Sequence, residues 1–435
     1  MAKKRKLTIE EKLQQALVPK EEQPYEIPDN WCWIYLTKGF SQCLDKFRKP
    51  INATERANML GDIPYYGATG QVGWINNYLT NEHLVLIGED GAPFLDLLKN
   101  KAYIIDGKSW VNNHAHILKS FYGKIGNKYL CNYLNIFNYK EYINGTTRLK
   151  LTQKNLDKIP IPLTSLVEQQ RIVAKIDFLF AKLDKAKDFI QAMIDKFEQN
   201  KMAVLHKAFT GELTATWREK NNLDLSFWQE KPLKEIVSVI KDKYNPENDN
   251  EIVAYIGLEN LKTNVGIVSQ NNSSKIKSIK TKFKNHDILY GKLRPYLNKH
   301  DIVTFDGICS TDILVFRIEN IITAKYLNYY MNLPSFIQYA VENSTGINLP
   351  RVSEKTITNY IITLPTIEEQ QQIVAILDKL FAKYNKLQSL EEQLKQIEML
   401  KKSILAKAFR GELGTNNADE ESAMELLKSI LANEE

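Results

Sequence analysis

Asp90, followed downstream by Asp106-Gly107-Lys108, has the acid…acid-x-Lys pattern with which a nuclease holds Mg²⁺ and sets a lysine beside the attacking water. The second half of the chain offers no counterpart, and Asp106-Gly107 reads more simply as a turn between strands. His114 and His116, in WVNNHAHIL, would share one face of a strand and could begin a metal site. No third ligand stands nearby in sequence, so satisfied strand histidines are the expectation. GATGQVG at 67–73 is glycine-rich but lacks the Lys-Ser/Thr of a phosphate loop, which leaves a tight hairpin. Nowhere is there a nucleophile elbow, a dinucleotide fingerprint or the Asn/Asp-Pro-Pro-aromatic tetrapeptide of an amino methyltransferase. A chain of 435 residues without a catalytic constellation reads as a binding protein.

A different chemistry is well represented. One stretch holds Tyr65, Tyr66, Gly67, Ala68, Thr69 and Gly70, then Asn112, Asn113 and His114, then Thr146, Thr147, Arg148, Leu149 and Lys150. Another holds Lys292, Arg294, Tyr296, Asn298 and Lys299 in DILYGKLRPYLNK, then Ser310, Thr311 and Asp312, then Thr345, Gly346 and Arg351. Amides and guanidinium groups make the paired hydrogen bonds that separate bases in the major groove, while Lys, Ser and Thr suit phosphates. Each segment alone is only a polar loop; two sets in one chain carry more weight.

The elements that must position these residues come from a duplication. EQQRIVAKIDFLFAKL (168–183) returns as EQQQIVAILDKLFAKY (369–384), and AFTGEL (208–213) returns as AFRGEL (408–413). Gly145 pairs with Gly346, Thr152 with Ser353 and Leu163 with Leu364, all at an offset of 201. Trp31-x4-Leu36 and Trp228-x4-Leu233 open each copy alike. The repeated segment is a long helix. Ser165-x-x-Glu168 and Thr366-x-x-Glu369 are capping boxes, and Gly211 and Gly411 stand where left-handed stop residues belong. About 42 residues between those signals reach roughly 60 Å at 1.5 Å per residue.

In the first helix the apolar spacing alternates steps of four and three, a seam meant for another helix. It runs through Ile172, Ile176, Leu179, Leu183, Ala186, Ile190, Met193, Phe197, Asn200 and Val204. In the second copy it runs through Ile373, Leu377, Leu380, Tyr384, Leu387, Leu390, Leu394, Ile397, Leu400 and Ile404, one residue shorter. The two helices most economically pack on each other. Between them lie short β-rich runs such as HLVLIG, KAYIID, EIVAYIGL and DIVTF, broken by Gly, Asn and Asp. Thr8-x-x-Glu11 and Ser422-x-x-Glu425 cap small terminal helices, and GTNNADEE (414–421) reads as a flexible link.

Bulk properties narrow the setting. No apolar run approaches the ~20 residues of a membrane span, and the basic start MAKKRK has no apolar stretch behind it. A net charge of +6 suits a polyanionic partner without requiring one. Cys32, Cys43, Cys131 and Cys309 form neither a zinc spacing nor a disulfide framework, as befits a reducing cytoplasm.

A divergent globule followed by a proline-preceded EQQ-(R/Q)-IVA helix ending in AF-(T/R)-GEL, repeated once, resembles the DNA-specificity subunits of type I restriction-modification systems. YIGLEN (255–260), DILYGKLRPYLNK (287–299) and GICSTDI (307–313) resemble segments of that family's target recognition domains, as do YYGATGQVGWINNYL (65–79) and GEDGA (88–92). The resemblance implies an α+β fold, a pseudo-twofold tandem repeat. Two mixed, mainly β target recognition domains are separated by two long antiparallel coiled-coil helices. The expected layout is an N-terminal helical cap (1–29), a target recognition domain (30–165), a central spacer helix (166–213), a second domain (214–365), a C-terminal spacer helix (366–413) and a tail with a short helix (414–435). Each domain would read one half of a split, asymmetric double-stranded DNA site, and the helices would fix the gap. Two modification subunits, carrying S-adenosylmethionine and methylating adenine, would dock on the frame. A motor-nuclease subunit using ATP and Mg²⁺ can join. The terminal helices would meet to close the arrangement, and this chain would hold no cofactor and be no enzyme itself. The alternatives are a Mg²⁺ nuclease using Asp90, Asp106 and Lys108, or a coiled-coil adaptor with no DNA role.

Overall fold

The computed structural model describes residues 7–249, 251–263, 265–382 and 387–433. It divides into two compact units, one made of Met1–Ile190 with Glu391–Glu435, the other of Gln191–Leu390. Each unit therefore holds a globule, the start of one long helix and the end of the other.

The repeat is visible in how each globule closes. In the first unit Cys32–Tyr35 pairs antiparallel with Pro160–Leu163, and Leu36 N donates to Ile159 O at 2.9 Å. In the second, Gln229–Pro232 pairs with Ile361–Leu364, and Leu233 N donates to Tyr360 O at 2.9 Å. The leucine of each Trp-x4-Leu motif is fully buried there. A packed helix pins each ribbon. Tyr129 Oη, from Gly123–Leu134, donates to Pro162 O at 2.9 Å, and Tyr326 Oη, from Ile321–Tyr330, donates to Thr363 O at 2.8 Å.

The AF-x-GEL segments cross over. Phe409 packs edge-on against Tyr129 and Tyr133 (4.8 and 5.2 Å between centroids) in the first unit. Phe209 does the same with Tyr326 and Tyr330 (5.1 and 4.9 Å) in the second. The end of each repeated helix thus completes the core beside the start of the other. That is why these apolar residues recur. Gly211 and Gly411 stop their helices at φ of +83° and +74°, as their type allows.

The first long helix runs Leu166–Phe209; the second is described as Ile367–Phe381 and Leu387–Phe409. The helices run antiparallel. In the first unit Lys187 meets Glu398 at 2.7 Å and Asp184 meets Lys401; in the second Lys201 lies over Phe381 at 6.0 Å. Ile172, Ile176, Ile373 and Leu377 are buried because a globule adds a second layer over the seam. Leu179, Leu183, Ile190, Phe197, Leu380, Leu394 and Ile404 are half-buried, since a helix pair covers its seam from one side only. Contrary to the seam expectation, Ala186, Asn200 and Leu400 are exposed. Tyr384 lies outside the described residues, as does the side chain of Leu387.

Three local expectations need correction. Ser165 and Thr366 cap the amides of Glu168 and Glu369 at 3.1 and 3.4 Å, but neither glutamate returns to close a box. Both are buried and bond elsewhere: Glu168 to Arg171 and Thr415, Glu369 to Thr214, Arg218 and Trp228. At the C-terminal helix Ser422 Oγ accepts from Met424 N, while Glu425 pairs with Lys428, so that box is not closed either. The segment 414–421 is no loose link. Asn416 Oδ1 accepts from Trp31 Nε1 at 3.0 Å, and Glu420 holds Arg171 at 2.6 Å. Polar composition here serves specific partners. The Thr8–Glu11 box does form, and Lys12 Nζ donates to Leu431 O at 2.7 Å, so the terminal helices meet within the first unit.

The second unit buries a histidine, His300, whose Nδ1 lies 2.8 Å from Asn328 Oδ1. Burial pushes its pKa down to about 4. A depressed histidine binds its proton first in the unfolded chain, so its contribution is full above about 6.5 and fades as pH falls toward 4. Urea unfolding of the full chain should lose about 3 kcal/mol over that window from this group alone. His300→Gln, which cannot charge, should flatten that part of the curve; an unchanged pH profile would contradict the assignment.

Candidate nucleic-acid interface

Three chain segments converge at the same place in each globule, held by matching backbone bonds. In the first unit the strand Leu84–Gly88 runs into Glu89, Asp90 and Gly91, and Asn112, Asn113 and His114 join Lys108–Val111 to Ala115–Ser120. Glu89 N donates to His114 O and Leu151 N to Glu89 O, both at 2.7 Å. In the second unit Ile288–Gly291 runs into Lys292, Leu293 and Arg294, and Ser310, Thr311 and Asp312 join Gly307–Cys309 to Ile313–Arg317. Lys292 N donates to Asp312 O at 2.8 Å and Val352 N to Lys292 O at 3.1 Å.

The third segment is a tight loop, pinched by Asn144–Lys150 bonds of 2.9 and 2.8 Å in one unit and by Thr345–Arg351 bonds of 2.8 Å in the other. Gly145 and Gly346 make it possible at φ of +95° and +100°. A Cβ on either would come within 2.6 Å of Arg148 O or 3.0 Å of Leu349 O. A fourth turn flanks each rim, since Asn112 N donates to Tyr66 O and Ser310 N to Ile256 O, both at 3.0 Å. The topology therefore gathers residues far apart in sequence into one polar rim per globule.

The two rims differ in chemistry. In the first, Arg148 Nη2 donates to Asp90 Oδ1 at 2.8 Å, and His114 Nδ1 lies 2.7 Å from the same oxygen. Lys150 reaches Glu89 at 2.9 Å, and Arg48 also pairs with that carboxylate. Burial works against the Glu89 charge, but hydrogen bonds from Lys150 and Arg48 hold its pKa below the ordinary value. Thr69, Asn113 and Thr147 are exposed. Asn112 is turned inward, its Oδ1 accepting from His114 N at 2.8 Å, and Tyr66 packs against Tyr103 at 5.9 Å.

The second rim is more basic. Arg294, Tyr296, Thr311 and Arg351 are exposed, and Lys292 and Ser310 partly so. Among the described residues no carboxylate lies within ion-pair distance of Lys292 or Arg294. Arg351 Nε donates to Asp312 Oδ1 at 3.1 Å. Lys299 Nζ caps Leu258 O at 2.7 Å, and Asn298, buried at φ +43°, donates to Asn332 Oδ1 at 3.2 Å. Sequence reasoning places Asp312 beside Ser310 and Thr311 and takes Asp90 as a nuclease candidate, while Glu89 enters only within GEDGA; none is matched to its rim partner. Their partners lie in other segments, and only the strand pairing brings them together.

The nuclease triplet does not gather. Asp90 is engaged by His114 and Arg148, Asp106 faces Lys124 at 3.6 Å beside Gly107, and Lys108 lies over Tyr78 at 5.1 Å. The histidines do not share a strand face as expected, because His114 precedes the strand. His116 is buried and satisfied: Nδ1 meets Asp45 at 2.6 Å and Nε2 meets Leu151 O at 2.8 Å. Cys43, unseen in the sequence as a neighbour, joins Asp45 and His116 within 4.8 Å. Both ring nitrogens are already in use, and burial pushes the Cys43 thiol up to about 12, so the trio is poorly suited to a cation.

Two globules built alike, each with its own polar rim, match a known arrangement twice over. The family described as Type I restriction modification DNA specificity domain aligns with residues 43–192 and again with 226–399. The chain belongs to this family. Its specificity-subunit relatives include that of type I restriction enzyme EcoDI from Escherichia coli, 28% identical over 404 residues, covering 86% of this chain and 89% of that one. The EcoKI specificity subunit of Escherichia coli K12 is 25% identical over 64% of each chain. A solved chain from work on complex assembly and conformational transition of the type I R-M system has the same fold, with a TM-score of 0.61 and 17% identity over 90% of this chain and all of that one. The chain is thus a type I specificity subunit. Among the described residues no helix is long and apolar enough to cross a membrane.

Proposed function

We propose that each rim reads one half of a bipartite, asymmetric double-stranded DNA site, and that the antiparallel helices set the unread gap. The observation that carries this reading is the pair of rims at equivalent places on duplicated frames, one rich in carboxylates and one basic. A frame copied faithfully around surfaces that diverged is what reading two different sequences requires. Equivalent helices offer equivalent seats to two identical partners, the adenine-methylating modification subunits. Those partners supply S-adenosylmethionine, and a motor-nuclease partner supplies ATP and Mg²⁺ chemistry; this chain binds, orients and spaces, in the cytoplasm. The modest charge of +6 fits, because partner subunits share phosphate neutralisation. Mapping adenine methylation in cells carrying the modification partner, with and without this chain, tests the reading. Bipartite methylation should vanish when the chain is removed; a pattern that persists overturns it.

A further inference from the structure

Each rim presents an exposed arginine whose guanidinium is held by a carboxylate. Arg148, with its side chain 63% exposed, is held by Asp90 at 2.8 Å; Arg351, 49% exposed, is held by Asp312 at 3.1 and 3.5 Å. The pairing is not a relic of the duplication. Asp90 follows the strand Leu84–Gly88, whereas Asp312 precedes Ile313–Arg317, and the arginines occupy different positions in their loops. Two unlike routes each set an arginine on an aspartate, through Nη2, shared with His114 Nδ1 at 3.4 Å, in the first rim and through Nε and Nη2 in the second.

We propose that Arg148 and Arg351 are the guanine-reading residues of the two half-sites, each oriented by its aspartate. This assignment rests on the DNA-reading function proposed above. An exposed ion pair adds little to stability, so the fold does not need these pairs. A guanidinium has five N–H donors. Arg351 uses Nε and one Nη2 proton on Asp312, which leaves the terminal Nη1/Nη2 edge for a bidentate contact. Guanine offers O6 and N7 to such an edge in the major groove. A phosphate is the poorer partner, because the aspartate carboxylate beside the guanidinium repels it. A neighbouring cytosine or adenine instead offers an amino group that this carboxylate can accept. Lys292 and Arg294, without a carboxylate partner among the described residues, fit the phosphate role on the same rim.

The test uses the full-length chain assembled with its modification subunits, binding competitively to a randomised library of bipartite duplexes. Arg148→Ala and Arg351→Ala should each lose preference for guanine at one position of one half-site, by about 5- to 150-fold, with the other half-site read as before. Asp90→Asn and Asp312→Asn should weaken the same positions, and all four should melt within a few degrees of the wild type. Affinity falling evenly across all sequences, with a shallower salt dependence, would make these phosphate contacts and overturn the assignment. So would unchanged base preferences. A wild-type complex that selects no bipartite sequence would instead overturn the function on which the assignment rests.

Discussion

Arg218→Ala should destabilise the chain by about 3–5 kcal/mol, the cost of leaving a buried charge without its partner. Glu369 is 1% exposed and Arg218 7%. Glu369 Oε1 accepts from Arg218 Nη1 at 2.5 Å and Thr214 Oγ1 at 2.6 Å, and Oε2 accepts from Trp228 Nε1 at 2.8 Å. Arg218 Nη2 also donates to Gly211 O at 2.5 Å, tying the stop of one long helix to the start of the other. Without the guanidinium, the carboxylate stays buried with two neutral donors and the Gly211 carbonyl loses its partner. The equivalent glutamate in the first unit provides an internal control. Glu168 is also buried, but its cation Arg171 is 35% exposed and shared with Glu420, so water can replace it. Arg171→Ala should cost well under half as much. Urea unfolding of both full-length variants checks the contrast; equal, small losses would show that the Glu369 network does not hold the second unit together.

Removing one heptad from each long helix should shorten the unread gap by about three base pairs, since seven residues span roughly 10 Å and base pairs stack at about 3.4 Å. Residues 184–190 and 395–401 suit the deletion, because together they contain both Asp184–Lys401 and Lys187–Glu398 pairs. Every other seam residue keeps its heptad phase. The bases read within each half should not change, because neither rim is touched. The measurement is the methylated motif produced with the modification subunits present. A gap of unchanged length would remove the helices from the role of ruler.

Much of this architecture was legible in the sequence, and the parts that were not share a cause. Helices announce themselves locally: the seam of Ile172 and Ile176, the hydroxyls of Ser165 and Thr366, and the left-handed glycines 211 and 411 all act within a few residues. The repeat itself was legible because Phe209 and Phe409 must fill equivalent sites beside tyrosine pairs. Misreadings came from groups whose partners are remote. Glu168 and Glu369 sit at the right spacing for a capping box, yet each bonds to a threonine from the far end of the other helix. Residues 414–421 look loose by composition, yet Asn416 and Glu420 are bound by Trp31 and Arg171. The rims were half legible. Arg148, Arg351 and Asp312 stood out as polar loop residues, whereas the pairing of each arginine with its aspartate came only through strand pairing.

If each rim reads its own half-site, this chain alone dictates which adenines the proposed modification subunits methylate, through two independently readable halves. A single-molecule methylation map of cells carrying the modification subunit tests it most directly, taken with this chain, without it, and with residues 30–165 exchanged for another target recognition domain. A bipartite motif is expected with the chain, none without it, and a motif changed in one half only after the exchange. Methylation indifferent to the chain, or an exchange that rewrites both halves together, would contradict it.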